Sequence, residues 1–300
     1  YPNPEIRQAF ACALKLAETV KPDLLLATDP DCDRVGIAVL DDGGYTLMTG
    51  NEVGCLLLNY VLTTRTELGT LPAHPVTVKT IVTSDLVLRI AEKFGCEVRE
   101  VLTGFKYIGE QISLLEKEGH PERYVFGFEE SYGYLSGTYV RDKDGVNASM
   151  LICEMAAYYK KQGKSLLDVL DELYAEFGVF RHILINAEFE GAEGMATMQK
   201  LMESLRENRP QEIAGLAVVR FSDYLASRSV DMRTGAETAL TLPKSNVLVF
   251  GLEDGAGVIV RPSGTEPKIK AYVTATGTDK AAAEAMAERL TAAAKALLKA

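Results

Sequence analysis

Three hundred residues give room for about two domains, three if they are small. With 32 Lys and Arg against 42 Asp and Glu the formal net charge is −10, which excludes a broad basic surface for nucleic acid; a bound phosphate would need a local pocket. Hydrophobic residues at 47% and charged residues at 25% exclude disorder and collagen.

The chain opens on the turn-like Tyr1-Pro2-Asn3-Pro4-Glu5, and a helix is predicted over 5–20. The continuous apolar run Leu24-Leu25-Leu26-Ala27 then reads as a central strand covered on both faces. A polar loop, 28–34, precedes a second strand over 35–40, which ends at the turn Asp41-Asp42-Gly43-Gly44. From Tyr45 onward helices and strands alternate: helices over 52–64, 85–94 and 107–117, strands over 76–82, 97–102 and 124–128. This alternation predicts a mainly parallel sheet sandwiched by helices, closed by two more helices over 145–161 and 165–177.

After Gly178 the pattern changes to a strand (182–189), a helix (193–208) and strand-like runs at 217–221, 247–252 and 257–260 continuing to 270–274. The last helix, 279–300, spaces Ala283, Met286, Leu290, Ala293 and Leu297 along one apolar face. The fold class is therefore α/β: a parallel-sheet α/β domain followed by a smaller α+β C-terminal domain. The longest apolar stretch, 53–62, falls short of a membrane span, and no basic-then-apolar leader opens the sequence. Five scattered cysteines without a CxxC pair fit a reducing cytoplasm and disfavour zinc or disulfide frameworks.

Four loops carry candidate chemistry. Asp29, Asp31 and Asp33 alternate directly after an apolar strand, and three such carboxylates repel unless a cation sits between them. A hard divalent ion such as Mg²⁺ suits oxygen ligands, whereas an EF-hand fails because Arg34 and Leu40 stand where Gly and Glu are required. A solvated acidic turn or an aspartyl-phosphatase loop remains open at this point. Thr103-Gly104-Phe105-Lys106 offers close backbone approach and a point charge for phosphate, though a helix start reads the same way.

In the third loop, Gly127 to Gly133, the neighbouring carboxylates Glu129 and Glu130 and the hydroxyl of Ser131 can accept from sugar hydroxyls; a turn cap is the alternative. Downstream, Arg141-Asp142-Lys143-Asp144-Gly145 gathers charges of both signs, as a solvated helix start also would. The fourth loop, Arg261-Pro262-Ser263-Gly264-Thr265-Glu266-Pro267-Lys268, can present backbone N–H groups and hydroxyls to one anion between two cations. It lacks P-loop spacing, and a plain hairpin is its alternative.

Together and in this order, Asp-Pro-Asp-x-Asp-Arg, Gly-Phe-Glu-Glu-Ser and Arg-Pro-Ser-Gly-Thr-Glu-Pro-Lys resemble the α-D-phosphohexomutases, the family of phosphoglucomutases and phosphomannomutases. The strings 103–109 and 127–133 are most similar to its bacterial phosphoglucomutase branch. The resemblance implies an isomerase moving a phosphoryl group between C1 and C6 of a hexose phosphate (glucose 1-phosphate and glucose 6-phosphate or the mannose equivalents) through a hexose 1,6-bisphosphate. It implies Mg²⁺ on Asp29, Asp31 and Asp33 beside a phosphoserine, and Arg34 at the same centre. Thr103, Gly104, Lys106, Glu129 and Ser131 would bind substrate, and Arg261, Ser263, Gly264, Thr265 and Lys268 the non-transferring phosphate. Lys143 would move a proton, which requires it to lose its own more easily than a free lysine.

On this resemblance residues 1–44 are the end of the family's second domain, 45–178 its third and 179–300 its fourth. The sequence contains no Ser-His dipeptide such as the family's nucleophile loop carries. The expectation is thus a truncated phosphohexomutase, inactive by itself. An aspartyl phosphatase using Asp29 and a non-catalytic sugar-phosphate-binding module are the alternatives.

Overall fold

A three-stranded antiparallel sheet carries the first of the four loops: β1 (Leu24–Thr28), β2 (Val35–Asp41) and β3 (Gly44–Met48), in the order β1-β2-β3. The computed structural model describes residues 2–189, 193–264 and 266–299, and the chain divides into two units, Tyr1–Phe177 and Gly178–Ala300. Ahead of β1 lies helix α1 (Ala11–Val20), ending on Lys21 in the left-handed conformation. The run expected as a doubly covered central strand is instead an edge: β1 is only half-buried, while its neighbour β2 is buried from Val35 to Val39. A continuous apolar run cannot distinguish the two cases, because the antiparallel hairpin gives the sheltered middle position to β2.

The apolar stretch 53–62 is the buried body of α2 (Gly50–Glu67), whose N-terminus is fixed by a reciprocal capping box between Thr49 and Glu52. The second sheet follows: β4 (Val76–Thr80), α3 (Leu86–Lys93), β5 (Glu97–Val101), α4 (Phe105–Lys117), β6 (Tyr124–Glu129), β7 (Gly133–Leu135), α5 (Gly145–Lys160) and α6 (Leu166–Phe177). Its order is β5-β4-β6-β7, with β4 parallel to both neighbours and the short β7 antiparallel. All residues of β4 and β6 are buried, as the α/β reading requires. Because β4, β5 and β6 run parallel, the loops after them emerge on one edge, where open α/β sheets bind ligands.

The second unit is built on antiparallel strands and two helices. In chain order these are β8 (Val179–Glu188), α7 (Gly194–Glu207), β9 (Glu212–Ile213), β10 (Leu216–Asp223), β11 (Arg228–Asp231), β12 (Glu237–Ala239), β13 (Leu248–Leu252), β14 (Gly257–Pro262), β15 (Lys268–Gly277) and α8 (Lys280–Leu297). The sheet runs β12-β11-β10-β13-β14-β15-β8, with β9 paired to β10. The run read as 257–260 continuing to 270–274 is two antiparallel strands joined by the fourth loop. Ala283, Ala287, Leu290 and Ala294 of α8 are buried, the last three in the core cluster, and Met286, Ala293 and Leu297 pack at its margin. No helix among the described residues is long and apolar enough to cross a membrane.

Candidate functional site

The loop between β1 and β2 is wound around one carboxylate. Asp29 Oδ1 accepts from the backbone N–H groups of Asp33 (3.1 Å) and Arg34 (3.0 Å), and Oδ2 accepts from Arg34 Nε at 2.7 Å. This folds the loop back so that one carboxylate oxygen from each of Asp29, Asp31 and Asp33 lies within 4.8 Å of the others. That spacing is close to the roughly 3–4 Å between ligands of one octahedral ion, and oxygen ligands, completed by water or phosphate, are what Mg²⁺ prefers. The residues present therefore fit a hard divalent cation. Arg34 also bonds Glu5 at 3.0 Å, tying the loop to the start of the chain.

Electrostatics separates the three acids. Burial pushes the Asp29 carboxyl up, but the donated hydrogen bonds and charge of Arg34 outweigh it and hold the group down at about 2. Asp33 goes the other way: burial and the neighbouring Asp29 carboxylate raise it despite Lys143. Asp31 is exposed and has no side-chain hydrogen bond or ion pair among the described residues.

The sugar-loop candidates meet the metal-loop candidates in this same unit. Val35 N–H donates to Tyr132 O at 3.0 Å and Gly145 N–H to Cys32 O at 3.0 Å, so the segments 129–133 and 141–145 are stitched to the aspartate loop. Glu129, buried at the end of β6, accepts from Gly104 N–H through Oε1 at 2.8 Å, joining the loops after β5 and β6. Thr103 Oγ1 is buried without a hydrogen-bond partner among the described residues, the state of a hydroxyl kept for something else. Ser131 is half-buried and makes no side-chain hydrogen bond among the described residues. Lys106 is not drawn in: it is exposed and its Nζ lies 4.9 Å from the centroid of the Tyr107 ring.

Lys143 links the two halves. Its Nζ is 3.0 Å from Asp33 Oδ2, 2.9 Å from Asp142 Oδ1 and 5.4 Å from the centroid of the Phe105 ring. Burial favours the neutral amine, but hydrogen bonds and charge from Asp142 and Asp33 prevail and raise Lys143 above the ordinary lysine value. With two carboxylates as partners this geometry favours the ammonium, the opposite direction to the easily lost proton that the resemblance implies. Asp144 caps α5, its Oδ1 accepting from Asn147 N–H at 2.9 Å, so this segment is partly the helix start that the sequence allowed.

Two glycines inside the quoted strings shape the site without having been singled out. A Cβ on Gly133 would lie 2.1 Å from Lys143 Cδ, and one on Gly145 would lie 2.5 Å from Cys32 O. Phe105, Glu5 and the Tyr132 carbonyl were likewise missed. Each lies inside a quoted string, Phe105 in Thr-Gly-Phe-Lys, Tyr132 in 127–133 and Glu5 in the opening turn, but position in a string does not tell which partner it meets.

In the second unit Arg261 to Lys268 closes the β14–β15 hairpin. Ser263 N–H donates to Lys268 O at 2.8 Å, and Ser263 Oγ accepts from Glu266 N–H at 3.2 Å. The Ser263 amide, expected to face an anion, is therefore occupied within the hairpin. Arg261 is half-buried with no side-chain hydrogen bond or ion pair among the described residues, Gly264 is exposed, and Lys268 pairs with Glu266. Thr265 lies outside the described residues.

Comparison with known proteins finds the same family along the chain. Residues 1–43 match the family model for phosphoglucomutase/phosphomannomutase alpha/beta/alpha domain II, residues 49–177 that for alpha/beta/alpha domain III, and residues 184–293 that for the C-terminal domain. A phosphoglucomutase of Staphylococcus aureus is 41% identical over 91% of this chain and 48% of its own length; one of Staphylococcus haemolyticus is 39% identical over the same shares. Among solved structures, the open form of the Paramecium exocytosis-sensitive phosphoprotein parafusin, a phosphoglucomutase, aligns with TM-score 0.67 at 18% identity, covering 99% of this chain and 50% of that one. The chain spans about half the length of the curated relatives it matches.

Proposed function

Because the chain belongs to the phosphoglucomutase/phosphomannomutase family of α-D-phosphohexomutases, we propose that it supplies the metal, sugar and distal-phosphate loops of a phosphohexomutase. The reaction proposed is transfer of a phosphoryl group between C1 and C6 of a glucose or mannose phosphate through the 1,6-bisphosphate, in the cytoplasm. The five cysteines, all free, are in keeping with that compartment.

The observation that carries this reading is the contact of Lys143 with Asp33, with Glu129 tied to Gly104 in the same unit. Asp29, Asp31 and Asp33 would hold Mg²⁺, which supplies Lewis-acid stabilisation of charge on the phosphoryl oxygens. Arg34 fixes Asp29 and adds positive charge beside the transferring group. Lys143, as an ammonium, gives a proton or a hydrogen bond to the sugar oxygen at which the phosphoryl bond forms or breaks. Glu129 and Ser131 accept from sugar hydroxyls, Thr103 and Gly104 line the same edge, and Lys106 reaches substrate only by leaving Tyr107. Arg261, Ser263, Gly264, Thr265 and Lys268 hold the phosphate that is not transferred. The serine that donates the phosphoryl group to a sugar hydroxyl and takes one back would sit in the family's Ser-His loop, and these 300 residues contain no Ser-His dipeptide, so the chain binds but does not turn over by itself.

Use of Asp29 as a phosphatase nucleophile is disfavoured. Three N–H donors occupy its oxygens, and a carboxylate held down at about 2 is a poor nucleophile. The test is Asp31→Ala in the phosphoserine-bearing enzyme: metal-dependent turnover of glucose 1-phosphate should fall by orders of magnitude. Unchanged turnover would overturn the metal assignment.

A further inference from the structure

Arg34 is held twice, and its second holder lies 29 residues upstream. The guanidinium is a planar fork, so two anchors on different nitrogens fix both its plane and its rotation. Nε donates to Asp29 Oδ2 at 2.7 Å and Nη1 to Glu5 Oε1 at 3.0 Å. Nη2 makes no hydrogen bond or ion pair among the described residues, and the side chain is 30% exposed.

Glu5 is itself placed by the opening turn. Its N–H donates to Asn3 Oδ1 at 3.0 Å and Ile6 N–H to Asn3 O at 3.2 Å, which closes the turn around Asn3. Pro4 is buried against the start of β2: a Cβ on Gly36, two residues after Arg34, would lie 2.2 Å from Pro4 O. The turn is thus seated on the strand into which Arg34 leads, and this delivers Glu5 to the guanidinium. Without that second anchor Arg34 has a competing partner. Its Nε is 3.8 Å from Asp33 Oδ1, and a guanidinium free to turn would close on that carboxylate, which a metal ion in the loop needs.

We infer that Glu5 is a positioning residue of the phosphoryl-transfer centre: with Asp29 it orients the Arg34 guanidinium, leaving the Nη2 donors to a phosphoryl oxygen and keeping Arg34 from closing on Asp33. The inference rests on the reading of Arg34 beside the transferring group. A donor fixed before the ligand arrives needs no reorganisation when charge develops on the phosphoryl oxygens. The role is geometric, because the negative charge of Glu5 as such works against an anion bound nearby.

The test compares Glu5→Ala, Glu5→Asp and Glu5→Gln. The first removes the anchor, the second shortens it, and the third keeps its length and its acceptor oxygen without the charge. In the 300-residue chain the two Nη groups of Arg34 should give separate NMR resonances in the parent and in Glu5→Gln, and averaged ones in Glu5→Ala and Glu5→Asp. In the phosphoserine-bearing enzyme, kcat on glucose 1-phosphate should fall about tenfold in Glu5→Ala and Glu5→Asp with KM nearly unchanged, and Glu5→Gln should restore it. Amide dispersion verifies the folding of each variant, and the Asp and Gln variants decide the matter if the Ala variant does not fold. Arg34→Met is the control for the underlying reading. If Arg34→Met lowers kcat and the Glu5 variants do not, the role of Glu5 is overturned and that of Arg34 stands. Equal losses in all three Glu5 variants, Gln included, also overturn it, since they report charge rather than geometry. If Arg34→Met turns over like the parent, the reading of Arg34 fails and the inference falls with it.

Discussion

Lys143 Nζ lies 3.0 Å from Asp33 Oδ2, so a lysine just ahead of α5 competes for the carboxylate that a metal ion in the aspartate loop would use. This contact sets binding and stability against each other. Lys143→Met frees Asp33, so Mg²⁺ affinity of the chain should rise about three- to tenfold. Metal-free thermal stability should fall by about 1 kcal/mol, since the carboxylates of Asp33 and Asp142 each lose a largely buried ammonium partner. Calorimetric Mg²⁺ titration and thermal melts on one pair of proteins check both directions.

Acid sensitivity should reside in the Asp29–Arg34 pair. Asp29 is held at about 2, below its ordinary 3.8, so its stabilisation is fully present above pH 3.8 and is lost as pH falls toward 2. The raised Asp33 works in the opposite direction and offsets part of it. Arg34→Met should therefore cost about 1–2 kcal/mol at pH 7 and little at pH 2, read from urea melts across that range.

Close approach at Gly145 gives a steric prediction. Its added Cβ would meet the Cys32 carbonyl, which is backbone and must move, so Gly145→Ala should cost about 1–3 kcal/mol and loosen the aspartate loop. Gly43→Ala, where a Cβ meets nothing within 4 Å, should change stability by less than about 0.5 kcal/mol. Denaturant midpoints of the two variants give the comparison.

The purified chain should not convert glucose 1-phosphate to glucose 6-phosphate, even with Mg²⁺ and glucose 1,6-bisphosphate. Phosphoryl shuttling needs a covalent acceptor, and without one the route is missing rather than slow. A coupled dehydrogenase assay on protein freed of host mutase decides this, and steady conversion proportional to chain concentration contradicts it.

Much of the site could be read from local strings. Asp29, Asp31 and Asp33 converge because their own loop closes on Asp29, information contained in six consecutive residues. What escaped depends on partners distant in sequence. The edge position of β1 follows from how β2 and β3 pair, and the raised Lys143 follows from Asp33 and Asp142 lying together. Lys79 is the sharpest case. A lysine inside a strand reads as a surface residue, yet it is fully buried, with Nζ 2.8 Å from both Asp85 Oδ1 and Glu100 Oε2. The short strands β7, β9, β11 and β12 escaped for another reason: two to four residues give too little alternation to register.

The most direct test of a single site shared by the aspartate loop and Lys143 is a Mg²⁺ titration of the 300-residue chain followed by backbone amide shifts. The account predicts a saturable, millimolar response in which residues 29–34 move together with Lys143 and Gly145, all lost in Asp31→Ala. A response confined to 29–34 with Lys143 unmoved, or no saturable response in the parent chain, would contradict it.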